Sequence, residues 1–370
     1  IAGVLVLLLG VLVVIGVMFG WGTTHVAATE DDAFWRVFLR LGRGTLAAVV
    51  LFFACQLLYR QRAGMVLLHG GILFLLVGEF ITAQFAVEAT LTMKEGETAT
   101  YLDRSQQLEL AFTETTDAEH DIVTVIPQSL LKDGKVLAPD ALPFRIKVHR
   151  YMVNSSYPQP LNSISAEQRG DYPQYAGHGS HMYIIEQREV SGATGARNAP
   201  AVDVELIDRE TGDSLGRYML SIWFYPNFVN RAWDRPTLIR AAGREYTAYF
   251  RFAREYLRST TGSPYTITLL DFKHEKYEGT QMPKDFSSRI RLVNEEEDID
   301  RELRIWMNNP LRYARRTFYQ SGYLPNDSGT VLQVVRNDVW MIPYLSCMIV
   351  FVGMTAQFVQ SFKRYLRRDA

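Results

Sequence analysis

Cysteine is nearly missing from this chain: only Cys55 and Cys347 occur in 370 residues. Both fall within apolar runs, so the polar part of the chain has none, which excludes thiol redox chemistry there and a disulfide-stapled scaffold. A net charge of either sign is missing too. The 39 basic and 40 acidic side chains nearly cancel, to −1, and leave no electrostatic case for nucleic acid. There is no nucleophile elbow, no glycine-rich phosphate cradle and no paired-carboxylate pattern, so no catalytic residue is assigned. No internal repeat is evident.

Long apolar runs, by contrast, are abundant. Ile1–Gly20, Met65–Phe85 and Val339–Phe362 each reach the roughly 20 residues that match the hydrocarbon core of a bilayer. A fourth run, Thr45–Tyr59, is shorter and borrows from Leu39–Gly44. The expected fold class is a four-span α-helical transmembrane bundle with a large extracytoplasmic all-β domain, a sandwich or open barrel. The expected spans are residues 1–20, 43–59, 65–85 and 339–362, with an external loop at 21–42, a β-rich domain at 87–338 and a basic cytoplasmic tail at 363–370. Ile1 stands inside an apolar run, so a basic flank is expected before it. A cleaved signal peptide is the rival for the first run, though its apolar region is normally only about 7–15 residues.

Basic residues near helix ends stay in the cytoplasm and set the orientation. Arg60 and Arg62 between spans two and three, and Lys363, Arg364, Arg367 and Arg368 after span four, are therefore expected inside. That threads residues 87–338 to the outside of a bacterial cytoplasmic or thylakoid-type membrane. It also puts Cys55 and Cys347 in opposite leaflets, too far apart for a disulfide, whose Cα atoms must come within about 7 Å. Arg36, Arg40 and Arg43 run against the trend, but their neighbours Phe34, Trp35, Val37, Phe38 and Leu41 suggest an amphipathic segment lying in the lipid surface.

The polar block reads as strands. ATLTMKEGETATYL, PFRIKVHRYMV, AVDVELIDRETGDSLGRYML, YTITLLDF, FSSRIRLVNE and TVLQVVR alternate apolar and polar residues or are rich in Val, Ile, Thr and Tyr, with Gly, Asp or Pro breaks between them. Helical signal is confined to a stretch near Arg244–Arg258, where YTAYFRFAREYLR has mixed helix and strand character. The stretch 154–201, rich in Gly, Pro, Ser and Tyr, reads as a long irregular excursion.

Among the histidines, His69 stands out because it lies inside an apolar run. An imidazole in hydrocarbon must find a partner, and such residues tend to mark a pathway or a ligand, although hydrogen bonding to a neighbouring helix explains them equally well. Glu79 follows ten residues later, about 15 Å along the helix, too far to pair with it. Gln56, Gln84, Gln357 and Gln360 are explained by hydrogen bonding between helices. His178 and His181, in HGSH, offer two imidazoles but lack a third ligand at a usual spacing. His25, His120, His149 and His274 read as ordinary loop, surface or core residues.

The run HGGILFLLVGEFITAQFAVEATLTMKEGET resembles the third span and first strand of the ResB/CcsB family of cytochrome c biogenesis proteins. LPFRIKVHRYMV resembles the family's Pro-Phe-led strand and MPKDFSSRIRLVN its Pro-Lys-Asp-Phe motif. NNPLRYARRTFYQSGYLPNDSGTVLQVVRNDVWMIPYLSCMIVFVGM resembles its closing segment. Residues 154–260 match poorly.

The resemblance implies haem handling. The family's members act as one half of a membrane complex that exports haem and presents it to apocytochrome c for covalent attachment. His69 takes the position of the family's transmembrane haem-ligand histidine, an axial ligand to the iron of a transient haem b. The six tryptophans, Trp21, Trp35, Trp223, Trp233, Trp306 and Trp340, are scattered. The tryptophan-rich haem loop is thus expected on a CcsA-type partner subunit. This chain would be an accessory subunit of a haem lyase, its partners being that subunit, apocytochrome c and membrane lipids, with no nucleic acid. A thiolate ligand or haem attachment at Cys55 is a lesser alternative. A membrane-anchored ligand-binding or scaffold protein with no haem contact is the competing function.

Overall fold

The computed structural model describes residues 30–59, 62–114, 121–190, 197–225, 236–279 and 283–367. The chain divides into two compact units, residues 103–255 and a second unit built from the flanking segments, 1–102 and 256–370. One unit is therefore inserted into the other. The crossing points fall within the strands Tyr101–Glu114 and Arg244–Tyr256.

Three long helices belong to the outer unit: α1 (Glu30–Tyr59), α2 (Ala63–Phe85) and α3 (Ile342–Leu366). Among the described residues, only α2 and α3 are both long and apolar enough to cross a membrane. Four spans are thus not what the described residues display, and the expectation is corrected to a β-rich protein anchored by apolar helices. The first expected span lies outside the described residues. The second is absorbed into α1, one continuous helix whose apolar part, Gly44–Leu57, falls short of a bilayer's thickness. The amphipathic segment foreseen around Trp35–Leu41 is the beginning of that same helix.

Glycine spacing explains how α2 and α3 associate. Gly64, Gly71 and Gly78 recur every seven residues on α2, and a Cβ at Gly64 or Gly71 would stand 2.9 Å from the Gly353 carbonyl oxygen or 2.8 Å from a Val350 methyl. A Cβ at Gly78 would collide with Ile342. The order of these contacts makes the helices antiparallel, and small residues at the seam let the backbones approach where no water drives association. Ala47, Ala48, Cys55, Leu67, Leu345 and Ile349 complete a buried core with α1. Pro343 fits the first turn of α3, where its missing N–H costs nothing, and Lys363 and Arg364 in the last turn complement the helix dipole.

α2 ends at Ala86, whose N–H donates to the Thr82 carbonyl at 2.9 Å, and the chain passes directly into the strand Val87–Lys94. That strand pairs in antiparallel register with Gly329–Arg336, which pairs with Arg316–Tyr323, which pairs with Leu311–Tyr313. A second sheet orders Ile299–Trp306, Pro283–Asn294, Thr266–Lys276 and Thr98–Ala99. The apolar faces of both share one core containing Leu91, Met93, Phe318, Ile267, Ile290 and Leu332. Gly329 is required where it stands, because a Cβ there would strike the Met93 carbonyl oxygen of the adjacent strand.

The inserted unit has its own core, including Phe112, Phe144, Val204, Leu206, Tyr246 and Phe250. One sheet orders Ser214–Ser221, Ala201–Asp208, Phe144–Met152 and Val136–Leu137. Thr237–Ala241 pairs with Arg244–Tyr256 through a turn in which Ala242 and Gly243 both take positive φ. A possible helical stretch, of mixed helix and strand character, is expected near Arg244–Arg258, and strand is found. Tyr246, Ala248 and Phe250 alternate into the core, so the period of two governs and the helical propensity of FAREYLR yields to packing. Among its described residues the excursion holds only short pieces, including a single helical turn at Ala166–Arg169 and a two-residue ladder of Gln159–Pro160 with Met182–Tyr183.

Candidate functional site

His69 stands on the second turn of α2, exposed, on the side away from the glycine seam. Its Nδ1 lies 2.9 Å from the Met65 carbonyl oxygen. A carbonyl only accepts, so Nδ1 carries the proton and, in the neutral ring, Nε2 keeps its lone pair. The helix therefore fixes both tautomer and ring direction without using the nitrogen that ligates metal. Nothing lies within 4 Å of a Cβ built on the adjacent Gly70, so the surface beside the ring is open. A planar iron macrocycle fits this donor, since the iron already has four ring nitrogens and needs only an axial base.

Other expected polar groups are not brought to His69. Glu79 is exposed further along α2, and Gln357 and Gln360 lie on α3, with side-chain oxygens that are buried and unpaired among the described residues. His178 and His181 sit on a tight 3-10 turn, His178 edge-on to Phe224 at 4.8 Å. Among the described residues no three His, Cys, Asp or Glu side chains converge on a metal position. His149 is paired with Glu205 at 3.0 Å, and that hydrogen bond, with one from Ser214, lowers the Glu205 pKa. His25 and His120 lie outside the described residues.

The β units contain two further polar constructions. In the inserted unit, Glu109 and Arg251 form a buried ion pair at 3.0 Å, flanked by Arg104–Glu255 at 2.8 Å and Glu114–Arg244 at 2.9 Å. Each acid meets a base across two strands, so the ladder is satisfied and structural. In the outer unit, Glu297 accepts hydrogen bonds from the hydroxyls of Ser259, Thr261, Ser263 and Tyr313. These donors, Ser259 first, hold its carboxyl down at about 2. With every donor engaged, this carboxylate is a latch between two turns and has no spare capacity for a ligand.

One group was missed by the sequence reading. His274, on the strand Thr266–Lys276, has a side chain only 1% exposed, and its Nδ1 lies 2.8 Å from Asp327 Oδ1. Its Nε2 is buried without a hydrogen-bond partner among the described residues. Tyr323, at 4.3 Å between ring centroids, and Phe286, edge-on at 6.3 Å, lie against it, and Phe272 stacks on Tyr323. Asp327 is 53 residues away in sequence, so no local spacing announces the pair.

These features define a β-rich protein with apolar helical anchors and imidazoles held in ligand-ready tautomers. Residues 237–332 match the model described as the ResB-like family, which bears out the resemblance drawn from the motifs over that segment. Over 102 residues the chain is also similar, at 26% identity, to the protein named NrfI of Wolinella succinogenes. That alignment takes in 28% of this chain and 11% of the relative. His274, Asp327, Phe286 and Tyr323 lie inside the matched segment; His69 lies outside it.

Proposed function

We propose that this chain is the haem-handling subunit of a membrane complex that matures c-type cytochromes, taking haem from the cytoplasmic side and presenting it for covalent attachment to apocytochrome c. The ResB-like match over residues 237–332 carries this reading. The state of His69 supports it, since Nδ1 is engaged by Met65 and Nε2 is left for an iron on an open helix face. Haem is the cargo here. The chain's own part is to hold its iron through the His69 imidazole and to exclude water with the apolar face of α2.

The exposed face of α2 supports the partnership. Leu73, Leu76 and Phe80 are each more than 60% exposed beside His69 and Glu79. Lipid covers the apolar side chains at no cost, but a carboxylate facing lipid is expensive, which favours a second helix there. A tryptophan-rich CcsA-type subunit supplying the second axial ligand is the partner in this reading. The β-rich part faces the extracytoplasmic side. Omitting the chain from cells that make c-type cytochromes should abolish haem attachment while apocytochrome is still exported. Unchanged maturation would refute the proposal and leave a membrane-anchored scaffold.

A further inference from the structure

A sheet that ends in an unguarded strand offers a row of N–H and C=O groups to any extended backbone, so folded proteins blunt such edges with charge, a bulge, brevity or a covering segment. All but one of the sheet ends among the described residues are blunted in these ways. Ser214–Ser221 breaks register between Ser214 and Gly216, and the segment leading into the turn Gly177–His181 closes its outer side, where the Ala176 N–H donates to the Arg217 carbonyl at 2.7 Å. Ile299–Trp306 carries Asp300, Arg301, Glu302 and Arg304. Thr237–Ala241 has five residues, one of them Arg240, and Leu311–Tyr313 has three, one of them Arg312. Val136–Leu137 and Thr98–Ala99 have two each.

Ile122–Pro127, in the inserted unit, is the exception. It pairs in unbroken antiparallel register with Glu109 to Glu114 of the strand Tyr101–Glu114 and, among the described residues, with no other strand. No charged residue occurs from Ile122 to Leu131, IVTVIPQSLL, and Pro127 removes an N–H only at the end of the strand. Ile126 is buried in the core of the unit and holds the strand in place. Ile122 and Val125 are 57% and 47% exposed, and a spacing of three puts them on opposite faces of the sheet. A strand added at this edge would therefore meet apolar surface on both of its faces.

We propose that the free edge of Ile122–Pro127 docks an extended, uncharged stretch of another polypeptide as an added strand, with main-chain hydrogen bonds supplying the affinity. On the haem-handling reading, on which this inference rests, the occupant is apocytochrome c, whose acceptor segment must be unfolded and reachable for haem to be attached. A main-chain ladder takes such a segment whatever its side chains, and an edge without charge suits a stretch without charge. A second copy of this chain would pair only if the folded surfaces flanking both strands also fitted, whereas an unfolded segment needs only its own backbone. No covalent step is involved.

The test is fluorescence anisotropy of the full-length chain in detergent with a labelled peptide spanning the haem-attachment segment of a c-type cytochrome, its cysteines replaced by serine. The parent chain should bind it. Val125→Lys, which sets a charge beside the edge, should weaken binding about tenfold or more. N-methylation of alternate peptide residues removes main-chain donors without changing charge; it should weaken binding as much in one of its two phases and little in the other, since only every second N–H faces the edge. Leu238→Lys, at a comparably exposed apolar position of the same unit, should change nothing. Both lysines replace exposed side chains, so the variants should fold, as thermal melting would verify. The proposal is overturned if Val125→Lys binds as the parent does, if both methylation phases bind alike, or if no form binds the peptide, and each of these results leaves the functional reading intact. A parent dimer that Val125→Lys converts to a monomer would overturn it as well, by giving the edge to a second copy. Unchanged maturation in cells lacking the chain would overturn the functional reading and, with it, the occupant named here.

Discussion

At the scale of single residues, partners decide what a polar group can do. Glu297 and His274 belong to the same β-rich unit, yet four hydroxyls saturate the first and one carboxylate leaves half of the second unused. Saturation has a consequence in acid. The Glu297 carboxyl titrates at about 2 in the folded chain, below the roughly 4.3 of an unfolded glutamate. A depressed folded value means stability that is fully present above pH 4.3 and lost as pH falls toward 2. Glu297→Gln should therefore melt several degrees below the parent at pH 7, with the two melting temperatures converging near pH 2. A gap that persists undiminished at pH 2 would show that the carboxylate charge is not what the hydroxyls hold.

At the scale of elements, the helix pair and the sheets follow different rules, and the sequence announces them unequally. The apolar length of α2 and α3 was legible because hydrocarbon thickness sets it, and the strands around Leu91, Ile146 and Val334 were legible because alternation puts one face in a core. α1 was not, since a charged amphipathic turn and an apolar run can share one helix without any break in composition. Arg244–Tyr256 was ambiguous in sequence because FAREYLR favours helix locally, whereas its partner strand and buried Tyr246 decide for strand. The glycine seam was visible as letters but not as a seam until α3 was set against it. Gly71→Leu, which puts a large side chain against Ile349 and Val350, should destabilise the helix pair by about 1–3 kcal/mol. Denaturation in detergent monitored by circular dichroism measures this, with Gly70→Ala, which meets nothing within 4 Å, as the neutral control. Equal losses from both would refute the seam.

At the scale of the whole molecule, orientation and partnership remain to be joined to the fold. In the proposed orientation, the basic residues flanking α2 and α3 put Arg62 and Lys363 in the cytoplasm and the β-rich part on the other side. With Cys347 replaced by serine, a cysteine introduced at the exposed Asp140 should react with an impermeant thiol reagent in intact cells, and one at Asp369 should not. Labelling at Asp369 alone would invert the arrangement. His69 was legible as an unusual residue, and the role proposed for it came from resemblance; the His274–Asp327 pair was invisible because its partners are remote in sequence. The most direct measurement is haem attachment to a c-type cytochrome in cells from which this chain or the proposed CcsA-type partner is omitted, together with the haem content of the purified complex carrying His69→Gly. Each omission should abolish attachment, and His69→Gly should lower the haem content, with imidazole partly restoring it. Full maturation without this chain, or unaltered haem occupancy and spectrum in His69→Gly, would contradict the account.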